Sequence, residues 1–286
     1  MSQETVTAAA AGTIDIGGDI TVNRLGFGAM RITGDGVWGP PPDEERAKAV
    51  LRRAVELDVN FIDTADSYGP EVSERLIAEA LAPYPDDLVI ATKGGLTRSG
   101  PNQWGRDGRP EHLRDACEGS LTRLRLDQIA LYQLHAPDPN VPIEESIGAL
   151  AQLKDEGKIR HVGLSNVSED EYRRAEAVTP IVSIQNRYNA VDRQSEPIVD
   201  LCEIEDMAFL PWAPIQGGDD HQAVKEIADR YQLSPRQVML AWLLWRSPAI
   251  LPIPGTGSVE HLEQNIAAAG AKIDPHDLSA LLKLGE

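Results

Sequence analysis

Residues 129–165, IALYQLHAPDPNVPIEESIGALAQLKDEGKIRHVGLS, decide the fold. Two short apolar runs, Ile129–Leu134 and His161–Ser165, read as strands, and Ile143–Glu156 between them reads as an amphipathic helix. A strand joined by a helix to a second strand makes a parallel pair. Working outward, the same alternation runs from about residue 25 to the end of the chain. Strands are expected at Leu25–Met30, Asn60–Thr64, Leu88–Lys93, Ile181–Asn186, Ala208–Ala213 and Ile250–Ile253 as well. Eight strands is the number that closes a barrel, so the chain is read as α/β, a (β/α)8 TIM barrel over residues 1–286 as one domain.

The helices follow from the same patterning. Asp43, Glu44 and Glu45 put negative charge at a helix start, and Ala47, Val50, Leu51, Ala54 and Val55 repeat at core-facing spacing up to about Asp58. Comparable helices are expected at Glu71–Ala82, Glu111–Leu124, Ser168–Ala177, Ser195–Ile204, Ser234–Trp245 and Val259–Ala268, with an extra one at Gln222–Tyr231. Thr13–Ile16 and Ile20–Val22 flank Gly17 and Gly18, which predicts an N-terminal β-hairpin closing the barrel floor. Residues 1–11 are expected to be frayed.

Composition narrows the partners. Forty-five acidic residues against 27 basic ones give a net charge of −18, a surface that repels nucleic acid and anionic membranes. There is no long apolar run and no basic, apolar leader, so a cytoplasmic protein acting on a small molecule is expected. Cys117 and Cys202 lack any CxxC or histidine spacing, so neither a disulfide nor a metal site is expected. The oligomeric state is read only as monomer or small homo-oligomer.

Asp63, Lys93, His135, Ser165, Asn166, Gln185 and Trp212 all fall at or beside the C-terminal ends of expected strands, where barrels of this type carry their chemistry. Taken singly, His135 reads as a structural strand-end histidine and Asp63 with Lys93 as a structural ion pair. With Tyr68 added, the set converges on one task. A carbonyl that accepts hydride develops negative charge on oxygen and needs a proton donor there. Tyr68 suits that role, Lys93 is expected to lower its pKa, Asp63 to hold the ammonium, and His135 to orient the carbonyl.

At this point the chain resembles the aldo-keto reductase family. The segments FGAM (Phe27–Met30), FIDTADSYG (Phe61–Gly69), ATKGG (Ala91–Gly95), YQLHAPDP (Tyr132–Pro139), GLSN (Gly163–Asn166), QNRYN (Gln185–Asn189) and IPGT (Ile253–Thr256) occur in the family's order, and the likeness covers about residues 12 to 270. It implies a catalytic tetrad of Asp63, Tyr68, Lys93 and His135. It also implies NADPH as cofactor, with NADH as the alternative. Ser165, Asn166 and Gln185 would bind the nicotinamide carboxamide, and Trp212 would replace the family's usual stacking tyrosine. Gly28, in FGAM, joins the implied cofactor contacts. Ala213, Ile215 and Gly217 would follow the pyrophosphate. Gly255, Thr256, Gly257, His261, Gln264 and Asn265 would take the adenosine end at the start of a helix. Relatives that strongly prefer NADPH often carry lysine where this chain has Gly255 and arginine where it has His261, so a smaller margin for NADPH over NADH is implied.

Trp38 and Trp104 lie in Gly/Pro-rich loops, GVWGPPPD and RSGPNQWGRDGRP, and are proposed as substrate-binding residues, with loop packing as the other reading. Asn186, Arg187, Tyr188 and Asn189 are read as structural. The chain runs only a short way past the last expected helix, which implies no long C-terminal specificity loop. Among the family's branches the resemblance is to bacterial members linked to pyridoxal reduction, so a small aldehyde or ketone, with pyridoxal as one candidate, is the implied substrate. Some barrels of the family serve instead as nicotinamide-sensing regulatory subunits with slow turnover, and that is the alternative function.

Overall fold

The computed structural model describes residues 5–218 and 220–285. A hairpin of β1 (Thr13–Ile16) and β2 (Ile20–Asn23) precedes the barrel. The barrel then runs β3 (Phe27–Gly28), α1 (Glu44–Glu56), β4 (Phe61–Asp63), α2 (Val72–Leu81) and β5 (Val89–Gly94). A second hairpin, β6 (Leu96–Gly100) with β7 (Gln103–Arg106), rises from the end of β5. The alternation resumes with α3 (Pro110–Leu124), β8 (Ile129–Leu134), α4 (Ile143–Asp155), β9 (Ile159–Ser165), α5 (Glu169–Glu176) and β10 (Ile181–Gln185). It ends with α6 (Glu196–Ile204), β11 (Ala208–Phe209), α7 (Gln222–Tyr231), α8 (Pro235–Arg246), α9 (Val259–Ala267) and α10 (Pro275–Ala280).

Seven barrel strands pair in parallel in the order β11-β10-β9-β8-β5-β4-β3. The expected eighth strand, Ile250–Ile253, reduces to a single bridge between Ile250 and Phe209. Its backbone nevertheless closes the ring. Leu251 N–H donates to Phe209 O at 2.9 Å on one side, and Gly26 N–H donates to Pro252 O at 2.9 Å on the other. Pro252 and Pro254 have no N–H to offer, so a continuous ladder cannot form there. The fold is therefore the expected (β/α)8 barrel with one proline-interrupted stave.

Phe61, Ala91, Leu131, Leu210 and Leu251 fill the barrel interior, and Ile16, Ile20 and Val22 of the hairpin join the same cluster, which makes the hairpin the floor. Larger apolar clusters lie between strands and helices. Local capping agrees with the helix starts. The Asp43 side chain accepts from Arg46 N–H at 2.9 Å, and Ser168–Glu171 and Ser234–Gln237 form reciprocal caps on α5 and α8.

Two further features depart from expectation. Residues 1–4 lie outside the described residues, but Ala8–Ala11, within the segment expected to fray, form a 3-10 turn. Ala8 is fully buried, and its N–H donates to Leu57 O at 2.9 Å; its methyl is small enough to pack against the end of α1. The other is the β6–β7 hairpin, which lies in a stretch read as irregular loop because of its glycines and proline. Among the described residues no helix is long and apolar enough to cross a membrane, and no group of three His, Cys, Asp or Glu is placed to hold a metal. Cys117 and Cys202 are buried free thiols, each pushed up to about 12 by burial.

Candidate active site

Asp63 is the last residue of β4, Lys93 the penultimate residue of β5, and His135 the first residue after β8, so three neighbouring strands deliver them to the same end of the barrel. Tyr68 follows β4 in a turn closed by its own N–H to Ala65 O at 3.2 Å. Gly69 allows that turn, since it has φ of 100° and a Cβ there would lie 2.5 Å from the Val72 Cβ.

Lys93 Nζ sits 2.7 Å from Asp63 Oδ2 and donates to Thr64 O at 2.8 Å, with both side chains buried. The ammonium lies 5.2 Å from the centre of the Tyr68 ring. Tyr68 meets His135 edge to face, with ring centres 5.6 Å apart. The other oxygen of Asp63 accepts from Gln185 Nε2 at 2.9 Å and from Gln133 Nε2 at 3.2 Å. Gln133 was not singled out from the sequence. It alternates inward on β8 one pleat before His135, which is the signal that marks it.

Charge and burial set the protonation states. Burial alone would pull the Lys93 ammonium down, but Asp63 and Tyr68 together outweigh it and the net shift is upward, so Lys93 stays charged. Burial and the Lys93 charge hold His135 well below the usual histidine value, so the ring is neutral. For Tyr68 the expected lowering does not occur. Burial pushes the phenol up, and the opposing pull of Lys93 is insufficient, partly because Asp63 and Asp66 also push upward. The phenol therefore keeps its proton at neutral pH. Asp66 lies between the two tetrad residues in sequence, and its Oδ1 is shut away from solvent without a partner; burial, with Glu74 adding to it, pushes its carboxyl up to about 8.

These groups open onto a cavity of about 870 Å³ bordered by Asp63, Tyr68 and His135. On its far side stand Ser165, Asn166, Gln185 and Trp212, then Ala213, Ile215 and Gly217, with Gly28, Gly255, Thr256 and Gly257 along the remaining edge. Lys93 lies behind the wall. Trp104 borders the cavity, whereas Trp38 does not. His261 and Gln264 are exposed on α9 and are not part of the lining. Arg31 and Arg236 do line it and were not singled out; Arg31 sits one residue beyond the FGAM motif and Arg236 two residues beyond the expected helix start at Ser234.

Several expected contacts are occupied by protein groups. Trp212 Nε1 donates to Asn166 Oδ1 at 3.0 Å, and Asn166 Nδ2 donates to His135 O at 3.0 Å and Ser165 Oγ at 3.1 Å. Asn166 adopts φ of 58°, which aims its amide across the mouth. The Gln185 amide faces Asp63. Asn186 and Asn189 bond the backbone of Val167 and Ala213, in keeping with structural roles.

The cavity suits a dinucleotide on two counts, the start of α9 and the Trp212 ring. The first turn of α9 has no side-chain cap at Ser258, beside Gly257 at the cavity edge, so its N–H groups remain available to a phosphate. Asn265, on the same helix, is 2% exposed with an unpartnered Oδ1, but it lies outside the cavity lining. The Trp212 ring borders the space nearest the tetrad. Gly28 and Gly255 border the cavity and have a backbone role as well. A Cβ on Gly28 would lie 2.6 Å from Ile253 O, and one on Gly255 would strike Gly28 O, so both glycines permit the close passage of backbone that closes the barrel.

The model of the aldo/keto reductase family matches residues 24–286. The chain is 49% identical to an uncharacterized oxidoreductase of Schizosaccharomyces pombe, over 98% of this chain and 92% of the other. It is 41% identical to pyridoxine 4-dehydrogenase of Escherichia coli, over 92% and 95%. Among solved structures, an aldo-keto reductase from Klebsiella pneumoniae in complex with NADPH superposes with a TM-score of 0.81 at 25% identity, covering 95% and 94%. Fold, motif order and these likenesses agree: the chain belongs to the aldo/keto reductase family and is an oxidoreductase.

Proposed function

We propose that the whole chain acts as one domain in the cytoplasm, reducing a small aldehyde or ketone to the alcohol with NADPH, and that Tyr68 donates the proton. The observation that carries this reading is the buried Lys93–Asp63 pair, 2.7 Å apart, behind a tyrosine that faces a cavity shared with a neutral histidine. A buried ion pair is weak support for stability, since its desolvation is costly, so its position behind Tyr68 argues for function. NADPH is favoured by the uncapped α9 start beside the cavity, and the Klebsiella relative is a complex with that cofactor.

When bound, the nicotinamide supplies hydride to the carbonyl carbon. The chain supplies the rest. With Ser67 Oγ 3.3 Å from His135 Nδ1, the serine hydroxyl can donate to that nitrogen, which leaves Nε2–H to bond the substrate oxygen. As charge grows on that oxygen, the Tyr68 O–H bond breaks and the proton moves to it, giving the alcohol and a phenolate. Lys93 stabilises that phenolate, so its charge acts where it is needed most, in the transition state. Asp63, gripped by Gln133 and Gln185, keeps the ammonium in place.

Pyridoxal is the specific candidate, supported by the E. coli relative's name, which refers to the corresponding alcohol, and by the Trp104 ring at the cavity edge. Tyr68→Phe keeps the ring and removes the proton, so kcat should fall by about three orders of magnitude or more while the NADPH dissociation constant stays within a few-fold. Turnover near that of the wild type would reject Tyr68 as donor. In a cofactor-oxidation screen, pyridoxal should show a higher kcat/KM than propanal; equal or poorer use would remove the substrate and leave the reductase.

A further inference from the structure

Arg98 lies outside the tetrad and outside the cofactor contacts, yet it is the most heavily committed side chain at the rim. It stands in β6 directly across the hairpin ladder from Trp104, and its guanidinium carbon lies 3.7 Å from the centre of the Trp104 ring. The same group is 5.9 Å from the Trp38 ring. Its donors all go to backbone carbonyls: Val37 O at 2.6 Å, Gly36 O at 2.7 Å, Ser67 O at 3.1 Å, Gln103 O at 3.1 Å and Gly100 O at 3.2 Å. Among the described residues no carboxylate pairs with it.

Those carbonyls belong to three separate segments. One is the loop after β3, one is the turn after β4 that carries Tyr68, and one is the β6–β7 hairpin that carries Trp104. None of the three is held to the others by a continuous strand ladder. The loop after β3 and the turn after β4 meet through Gly39 N–H to Gly69 O at 2.7 Å. A planar fork with five donors can reach all three while stacking on an indole, and an ammonium cannot. Ser67, whose carbonyl Arg98 binds, also contacts His135 through its hydroxyl. A side chain that reaches both the aromatic edge of the cavity and the backbone next to Tyr68 couples substrate shape to proton-donor placement.

We infer that Arg98 is a positioning residue that fixes Trp104 as an aromatic wall of the substrate cavity and holds the Ser67–Tyr68 segment in register, making the enzyme selective for flat aromatic or heteroaromatic carbonyl compounds over small aliphatic ones. This inference rests on the reductase reading above. Stacking on one fixed aromatic face is a modest term, so the preference it sets is about tenfold or less.

The test compares kcat and KM for benzaldehyde, pyridoxal and propanal in the wild type, Arg98→Ala, Arg98→Lys and Trp104→Ala, with the NADPH dissociation constant measured by fluorescence. Arg98→Ala should lower kcat for all three substrates through Ser67–Tyr68, and should reduce the ratio of aromatic to aliphatic kcat/KM by about five- to tenfold. Arg98→Lys should fail to restore that ratio, whereas added guanidinium chloride should partly restore it in Arg98→Ala. Trp104→Ala leaves the clamp in place and should lose the same ratio through KM alone, so it decides the matter even if Arg98→Ala folds poorly. NADPH affinity should hold in every variant. An unchanged ratio in Trp104→Ala, or full restoration by lysine, would overturn the inference. A wild type that turns over none of the three would instead sink the reductase reading.

Discussion

The two walls of the cavity are built on different principles. The wall of β4, β5 and β8 places buried side chains on paired strands, where Lys93 and Gln133 each donate to Asp63 and the three strands are joined by parallel ladders. The opposite wall is mostly backbone. There β11 is two residues long, Trp212 is joined to Arg187 by a single bridge, and Ala213 and Gly217 have positive φ. Proton transfer tolerates little displacement, so the Asp63–Lys93 pair behind the donor sits on rigid strands, with Tyr68 in a hydrogen-bonded turn directly after β4; a long flexible cofactor needs many weak contacts, which turns supply.

The largest effect that would break this contrast comes from Lys93→Met. It leaves the Asp63 carboxylate buried without its cation, and removing one partner of such a pair typically costs about 3–5 kcal/mol. Urea denaturation should show that loss alongside a collapse of kcat, with Gln133 and Gln185 limiting the damage. Unchanged stability would mean that the strand wall is not held by the pair.

Asp66 sharpens the same comparison by pH. Its carboxyl titrates at about 8 in the folded protein against 3.8 for the free group, so the folded state binds the proton more tightly. That contribution is complete below 3.8 and is lost as pH rises towards 8. The slope is at most about 1.4 kcal/mol per pH unit. Asp66→Asn cannot ionise and should flatten the decline, leaving the variant the more stable protein at pH 9, above the titration. Parallel stability curves for the two proteins would place the decline elsewhere.

The smallest effect belongs to the turn wall. His261 is exposed on α9 and lies outside the cavity lining, so His261→Ala should weaken NADPH binding by only about two- to threefold and leave NADH binding unchanged, as expected for a solvent-screened contact. Equal weakening of both cofactors would remove the 2′-phosphate contact. Grafting lysine at Gly255 is not an equivalent gain of function, because a Cβ there meets the Gly28 carbonyl.

Much of this was legible in the chain because it is local. Helix periodicity, the Asp43, Ser168 and Ser234 caps, and the strand-end placement of Asp63, Lys93 and His135 depend on near neighbours in sequence. The hairpin β6–β7 was not legible, because its glycines and Pro101 read as loop and its clamp, Arg98, bonds carbonyls up to 62 residues away. The interrupted eighth stave was half legible: Pro252 and Pro254 announce a broken ladder, but not that Gly26 N–H would still donate to Pro252 O and close the ring.

By itself the sequence determined the order of strands and helices and the residue types at the barrel mouth, because periodicity and strand ends are properties of short segments. Tertiary structure alone decided the acidity of Tyr68. The sequence places Lys93 near it and suggests a lowered pKa, yet burial is a property of the whole packed molecule, and here it outweighs the nearby charge.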